Sequence, residues 1–126
     1  MYKRQELPLI LNKVSPLERQ KKVNQAIEWV GLSDKRDSRP NTLSGGQCQR
    51  TAIARAIVHQ PDLVLADEPT ANLDAENSHH IMKILTKLNK EISTSFVFAT
   101  HDEKIMGYLK RIIHLEDGMI NKDETF

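Results

Sequence analysis

A chain of 126 residues with 39% hydrophobic and 28% charged residues and a net charge of +1 has the make-up of one ordinary globular domain. That charge gives no bulk reason to bind nucleic acid, and the longest apolar runs, 63–66 and 96–99, fall far short of the ~20 residues of a membrane span. No signal-peptide core is visible at the start, and the single cysteine, Cys48, leaves no internal disulfide or cysteine metal cluster and fits a reducing cytoplasm.

The first helix signal is Ser15-Pro16-Leu17-Glu18, a capping box with proline at the first helical position. Val23, Ala26, Ile27 and Val30 follow at helical spacing and Gly31 is a natural stop, which predicts a helix over 16–30. Loop follows through Asn41. Ser44 can cap a second helix, with Gln47 completing the box and Ala52, Ile53, Ala56 and Ile57 as its apolar face. The run 63–66, between Pro61 and Pro69, predicts a strand buried on both faces. Asp74 can cap a third helix with Ile81, Ile84, Leu85 and Leu88 facing inward. A second buried strand is expected at 96–100, a short helix at 102–109 and a third strand at 112–115. The turn Glu116-Asp117-Gly118 then leads to a short last strand at 119–120. Strand–helix alternation from Leu63 onward predicts a parallel α/β sheet. The chain divides at about residue 60 into a helical layer (1–60) and an α/β part (61–126).

Three places carry chemistry. Leu43-Ser44-Gly45-Gly46-Gln47 opens a helix, where free N–H groups and the helix dipole favour an anion such as phosphate and the glycines permit close approach. On its own this pattern also fits an ordinary capped helix. The strand 63–66 runs into Asp67 and Glu68, and ligands of open α/β sheets sit at the carboxyl ends of strands. Asp67 there suits a hydrated Mg²⁺, and Glu68 suits a base that activates water. A solvated pair beginning a turn at Pro69 is the plain alternative. His101, after the next strand, can donate to a terminal phosphate, although a lone histidine at a helix start usually has no such role.

Taken in order, these segments resemble the ATP-binding subunit of ABC transporters. Residues 43–47 resemble its signature motif, with Gln49-Arg50 and 52–56 similar to the usual continuation. Residues 63–68 resemble Walker B with its catalytic glutamate, 71–74 the D-loop, and His101 the switch histidine. The resemblance runs from about residue 6 to 121. It implies the C-terminal part of a P-loop NTPase fold, in which a helical signature subdomain precedes part of a mainly parallel sheet. It also implies ATP and Mg²⁺ as cofactors, a second ATP-binding subunit and a transmembrane permease as partners, and a peripheral place on the cytoplasmic face of the membrane. Ser44, Gly45, Gly46 and Gln47 would contact a nucleotide held by the partner. Asp67 would bind Mg²⁺ through water, Glu68 would activate water, His101 would sense the γ-phosphate, and Asp74 would communicate across the pair.

Three departures qualify the likeness. No Gly-x-x-x-x-Gly-Lys-Ser/Thr loop occurs in these residues, so the phosphate cradle and its lysine are missing. The adenine-stacking aromatic residue and the Q-loop glutamine are also expected upstream, and Gln5 is poorly framed for the latter. Cys48 stands where the family usually has a polar or charged residue. In the family fold the Walker A strand lies between the strands represented by 96–100 and 112–115. The expectation is therefore a cut piece of a longer subunit, inactive alone, with unpaired edges on those two strands and an unfilled core layer between them. Two other readings are a non-catalytic module that lends its signature to a partner and a non-transport ATPase of the same type. No coiled-coil heptads support a chromosome ATPase, and Ala71-Asn72-Leu73-Asp74 is closer to transporters than to translation factors. The stretches 65–74 and 113–118, with Glu6-Leu7-Pro8-Leu9, resemble the lipoprotein-release and macrolide-export group.

Overall fold

A computed structural model describes all 126 residues. The helical layer opens with α1 (Tyr2–Leu11), which the sequence did not announce because Pro8 interrupts its pattern. Leu9 and the uncharged Gln5 are its buried residues. Helix α2 (Pro16–Trp29) starts where the capping box places it, with the Glu18 N–H donating to Ser15 Oγ at 3.4 Å. Gly31 ends it in the left-handed region at φ +64°. The expected loop contains two 3-10 turns, Ser33–Lys35 and Pro40–Thr42. Helix α3 (Gly45–Ile57) follows, and its Arg50 guanidinium caps α2 by donating to the Val30 and Gly31 carbonyls, each at 3.2 Å.

The second part contains β1 (Leu63–Asp67), α4 (Ala75–Glu91) and β2 (Ser95–Ala99). Strands β1 and β2 pair in parallel with Leu63 opposite Ser95 and Asp67 opposite Ala99. The short helix expected next is a 3-10 helix, Glu103–Tyr108. Strands β3 (Arg111–Glu116) and β4 (Met119–Thr125) form an antiparallel hairpin, with β4 longer than foreseen. One apolar cluster joins the parts, running from Leu9, Val23 and Ile27 through Ile57 to Ile81, Leu88 and Ile105.

One expectation needs correction. Strands β1 and β2 are not buried on both faces. Val64, Phe96 and Phe98 pack against the core, while Leu65 is 75% and Val97 54% exposed on the other face, because α4 covers one side only. The third strand does not pair with the parallel two: β1–β2 and β3–β4 are separate two-stranded sheets. A cleft of about 410 Å³ lies between them, lined by Phe96 and Phe98 of β2, Ile112 and Ile113 of β3, and Met82 and Leu85 of α4. The open edges and unfilled layer expected between these strands are therefore present.

Candidate functional site

The end of β1 places Asp67 and Glu68 at the carboxyl end of the parallel pair. The Glu68 N–H donates to the Ala99 carbonyl at 2.8 Å, extending the ladder by one bond. Glu68 itself turns into the left-handed region at φ +45°, a conformation that costs a β-carbon-bearing residue about 1–3 kcal/mol and concentrates at functional sites. The turn aims its carboxylate at the segment after β2. Thr100 Oγ1 donates to Oε2 at 3.1 Å, and His101 Nδ1 lies 2.6 Å from Oε1. The imidazole is 91% exposed and the Glu68 side chain 34%, so the pair sits at a solvent-facing rim. Asp67 is exposed beside it and belongs to no cluster of three or more ligating side chains.

The two turns are fastened behind this pair. Thr70 Oγ1 donates to Asp102 Oδ2 at 3.1 Å, the Lys104 N–H to Asp102 Oδ1 at 3.0 Å, and the Asp102 N–H to Thr100 Oγ1 at 3.1 Å. The Lys104 backbone N–H, helped by Thr70, holds the Asp102 carboxyl below the usual carboxylate range. A depressed folded-state pKa stabilises the fold above the ordinary carboxylate pKa, and this contribution disappears as pH falls through the folded value. Between about pH 5 and about pH 3, the melting temperature of Asp102→Asn is expected to fall less than that of the parent. Equal slopes would dismiss this coupling.

The residues that resemble a signature motif form a second group. Ser44 and Gln47 make the full capping box. The Gln47 N–H donates to Ser44 Oγ at 3.3 Å, and the Ser44 N–H to Gln47 Oε1 at 3.0 Å. The Gly45 and Gly46 amides make no hydrogen bond within the chain, so two donors at the positive end of the α3 dipole are free. This helix start packs against that of α4. A β-carbon on Gly46 would lie 2.5 Å from Asn77 Oδ1, and one on Gly45 would lie 3.9 Å from Leu73. Asp74 caps α4, accepting from the Asn77 N–H at 2.7 Å and from Asn77 Nδ2 at 3.0 Å on each carboxylate oxygen. Gln49 Nε2 adds a bond to the Pro69 carbonyl at 2.8 Å.

The structure thus gathers Glu68 and His101 at one place and Ser44, Gly45, Gly46, Gln47 and Asp74 at another. No hydrogen bond joins the two sets. Sequence reasoning missed Asn77, which lies between Gly46 and the Asp74 cap. Its signal was an amide three residues after an Asp cap. Thr70, Thr100 and Asp102 were missed as a network because their partners come from different turns. Gln5 is fully buried and donates to the Thr51 carbonyl at 3.1 Å, a packing role away from Glu68.

Gly46→Ala is expected to push Asn77 off Asp74 and destabilise the chain by about 1 kcal/mol. In an Asn77→Ala background the clash is gone, and the same change becomes neutral or stabilising through helix propensity. Thermal melts of the four proteins decide it, and additive effects would contradict the contact.

Comparison with known proteins gives the family. The ABC transporter family profile matches residues 2–71. The chain is 48% identical over 115 residues to the ABC transporter ATP-binding protein YknY of Bacillus subtilis, covering 91% of this chain and 50% of that protein. It is 41% identical over 118 residues to the lipoprotein-releasing system ATP-binding protein LolD of Idiomarina loihiensis, covering 94% and 52%. Among solved structures it resembles cbiO1 of Clostridium perfringens, part of an ABC transporter complex, with a TM-score of 0.93, 30% identity and coverage of 98% and 50%. It also resembles the dimeric bacterial ABC transporter cassette MJ0796, with a TM-score of 0.80, 40% identity and coverage of 96% and 54%. The chain spans about half the length of the curated relatives it matches. It belongs to the ABC transporter ATP-binding protein family.

Proposed function

We propose that this chain is the signature-to-switch portion of the ATP-binding subunit of an ABC transporter, of the group that releases lipoproteins or exports macrolides. The observation that carries the reading is Glu68 at the end of β1, turned into the left-handed region and paired with His101 at 2.6 Å. A carboxylate so placed can take the proton of a water attacking a terminal phosphate, with His101 holding its orientation and sensing that phosphate. Asp67, exposed at the end of β1, is the carboxylate assigned to Mg²⁺. The exposed single carboxylate suits an ion that keeps its waters and relies on phosphate oxygens for its remaining ligands. Bound ATP and Mg²⁺ would supply the phosphoryl group and its charge neutralisation.

Ser44, Gly45, Gly46 and Gln47 serve the phosphates of a nucleotide held by a second subunit, and Asp74 ties that contact to the start of α4. The dimeric form of the MJ0796 cassette and the lipoprotein-releasing relatives support a paired subunit acting with a membrane permease at the cytoplasmic face. No helix here is long and apolar enough to cross a membrane. Residues 1–60 act as the helical signature subdomain and 61–126 as the Walker B to switch part of the α/β core. To test this, the upstream half of YknY is joined to this chain. Mg²⁺-dependent ATP hydrolysis is expected from the chimera, and no tight ATP binding from the 126 residues alone. Submicromolar binding to the short chain by calorimetry, or an inactive folded chimera, would overturn the reading.

A further inference from the structure

The left-handed turn at Glu68 sets its backbone at φ +45°, yet the side chain keeps several rotatable bonds, so the carboxylate needs partners to hold one direction. Two side chains reach it. His101 Nδ1 lies 2.6 Å from Oε1, but the imidazole is 91% exposed and makes no other hydrogen bond within the chain. Thr100 is half-buried just past the end of β2, and its hydroxyl has two partners with opposite roles. The Asp102 N–H donates to Thr100 Oγ1 at 3.1 Å, and Oγ1 donates to Glu68 Oε2 at 3.1 Å. The first bond closes the kind of turn that serine and threonine hydroxyls make with the backbone two residues on. A hydroxyl carries one proton. With the Asp102 N–H on its acceptor side, that proton is left for Glu68, and branching at the threonine β-carbon restricts the rotamer that delivers it. The turn is anchored in its own right. The Asp102 carboxylate accepts from the buried Thr70 at 3.1 Å and from the Lys104 N–H at 3.0 Å. Because Thr70 stands two residues after Glu68, hydrogen bonds and backbone close a ring through Glu68, Thr100, Asp102 and Thr70.

We infer that Thr100 is a positioning residue for Glu68, its hydroxyl holding the carboxylate in the catalytic direction when His101 turns toward a terminal phosphate. This rests on the reading of Glu68 as the base. The two contacts divide the work. His101 is exposed and has one contact, so it can leave the carboxylate at little cost. Thr100 is tied on both sides and stays. An ionised carboxylate offers about four lone-pair sites. The Thr100 bond takes one of them, on Oε2, and leaves sites on both oxygens for the attacking water. Thr100 acts only through Glu68, and the effect is large because a reacting group displaced by about 1 Å can lose on the order of 10² in rate.

The test compares Thr100→Val, which keeps the shape of threonine without its hydroxyl, with Thr100→Ser, which keeps the hydroxyl, both in the whole subunit. Thr100→Val is expected to lower turnover by about tenfold to a hundredfold with ATP affinity nearly unchanged, and Thr100→Ser to recover most of that loss. Thr100→Ala gives the same comparison should valine lower the melting temperature. A second readout needs no ATP. With the glutamate carboxyl carbons labelled with ¹³C, the Glu68 resonance is the one that disappears in Glu68→Gln. At about pH 8, above the range in which carboxylates ordinarily titrate, it should move in Thr100→Val and return in Thr100→Ser. An unmoved Glu68 resonance in Thr100→Val, parental turnover in that variant, or a Thr100→Ser subunit as impaired as Thr100→Val overturns the proposal. Parental turnover in Glu68→Gln would instead remove the reading of Glu68 as the base, so the two failures are distinguishable.

Discussion

Glu68→Gln in the whole subunit is expected to lower ATP turnover by ~10²–10⁴ while leaving ATP affinity nearly unchanged. The loss is specific because the substitution preserves the geometry. A glutamine carbonyl oxygen can still accept from Thr100, which donates to Glu68 Oε2 at 3.1 Å, and the amide remains within reach of His101. What the amide cannot do is take a proton from water. Asp67→Asn differs in kind, since it removes charge from the exposed strand-end carboxylate and should weaken Mg²⁺ dependence and nucleotide binding together. His101→Ala leaves the base in place but removes the 2.6 Å contact that orients it, so an intermediate loss is expected. Steady-state hydrolysis and calorimetric ATP affinity, measured on the same preparations, separate the three. Parental turnover in Glu68→Gln would put the base elsewhere.

The site's elements were legible because each rests on a local rule. Ser44 and Gln47 announce a capping box by spacing alone, and the box is present on both sides. Asp74 announces the α4 cap in the same way, and the Asn77 N–H bonds to it at 2.7 Å. The apolar run into Asp67 and Glu68 marks a strand end, and β1 ends at Asp67. What was not legible depends on distant partners. Helix α1 carries an internal Pro8 and a buried Gln5, and nothing local says that Gln5 will meet the Thr51 carbonyl. The contact between Gly46 and Asn77 joins residues 31 apart through the meeting of two helix starts. The exposure of Leu65 and Val97 was missed for a related reason. An unbroken apolar run reports what a strand can bury, whereas its burial depends on what packs against it.

Ser44→Arg should abolish turnover in the whole subunit to a similar extent, and the way it does so identifies which chain the signature serves. Ser44 Oγ accepts from the Gln47 N–H, so arginine there loses a helix cap worth about 1 kcal/mol. Ser44→Ala also loses the cap but leaves the space before the Gly45 and Gly46 amides open, which makes it the stability control. Arginine fills the space that a partner's terminal phosphate would occupy. Two inactive variants then test the arrangement. A Ser44→Arg subunit keeps an intact Glu68, and a Glu68→Gln subunit keeps an intact signature. If each signature completes the partner's site, a mixed pair contains one site with both parts sound. Random pairing makes half the pairs mixed, and each has one sound site of two, so roughly a quarter of parental turnover should return on mixing. If the signature serves its own Glu68, no site in the mixture is sound and nothing returns. Turnover no greater than the sum of the two variants measured apart would overturn the assignment across the pair.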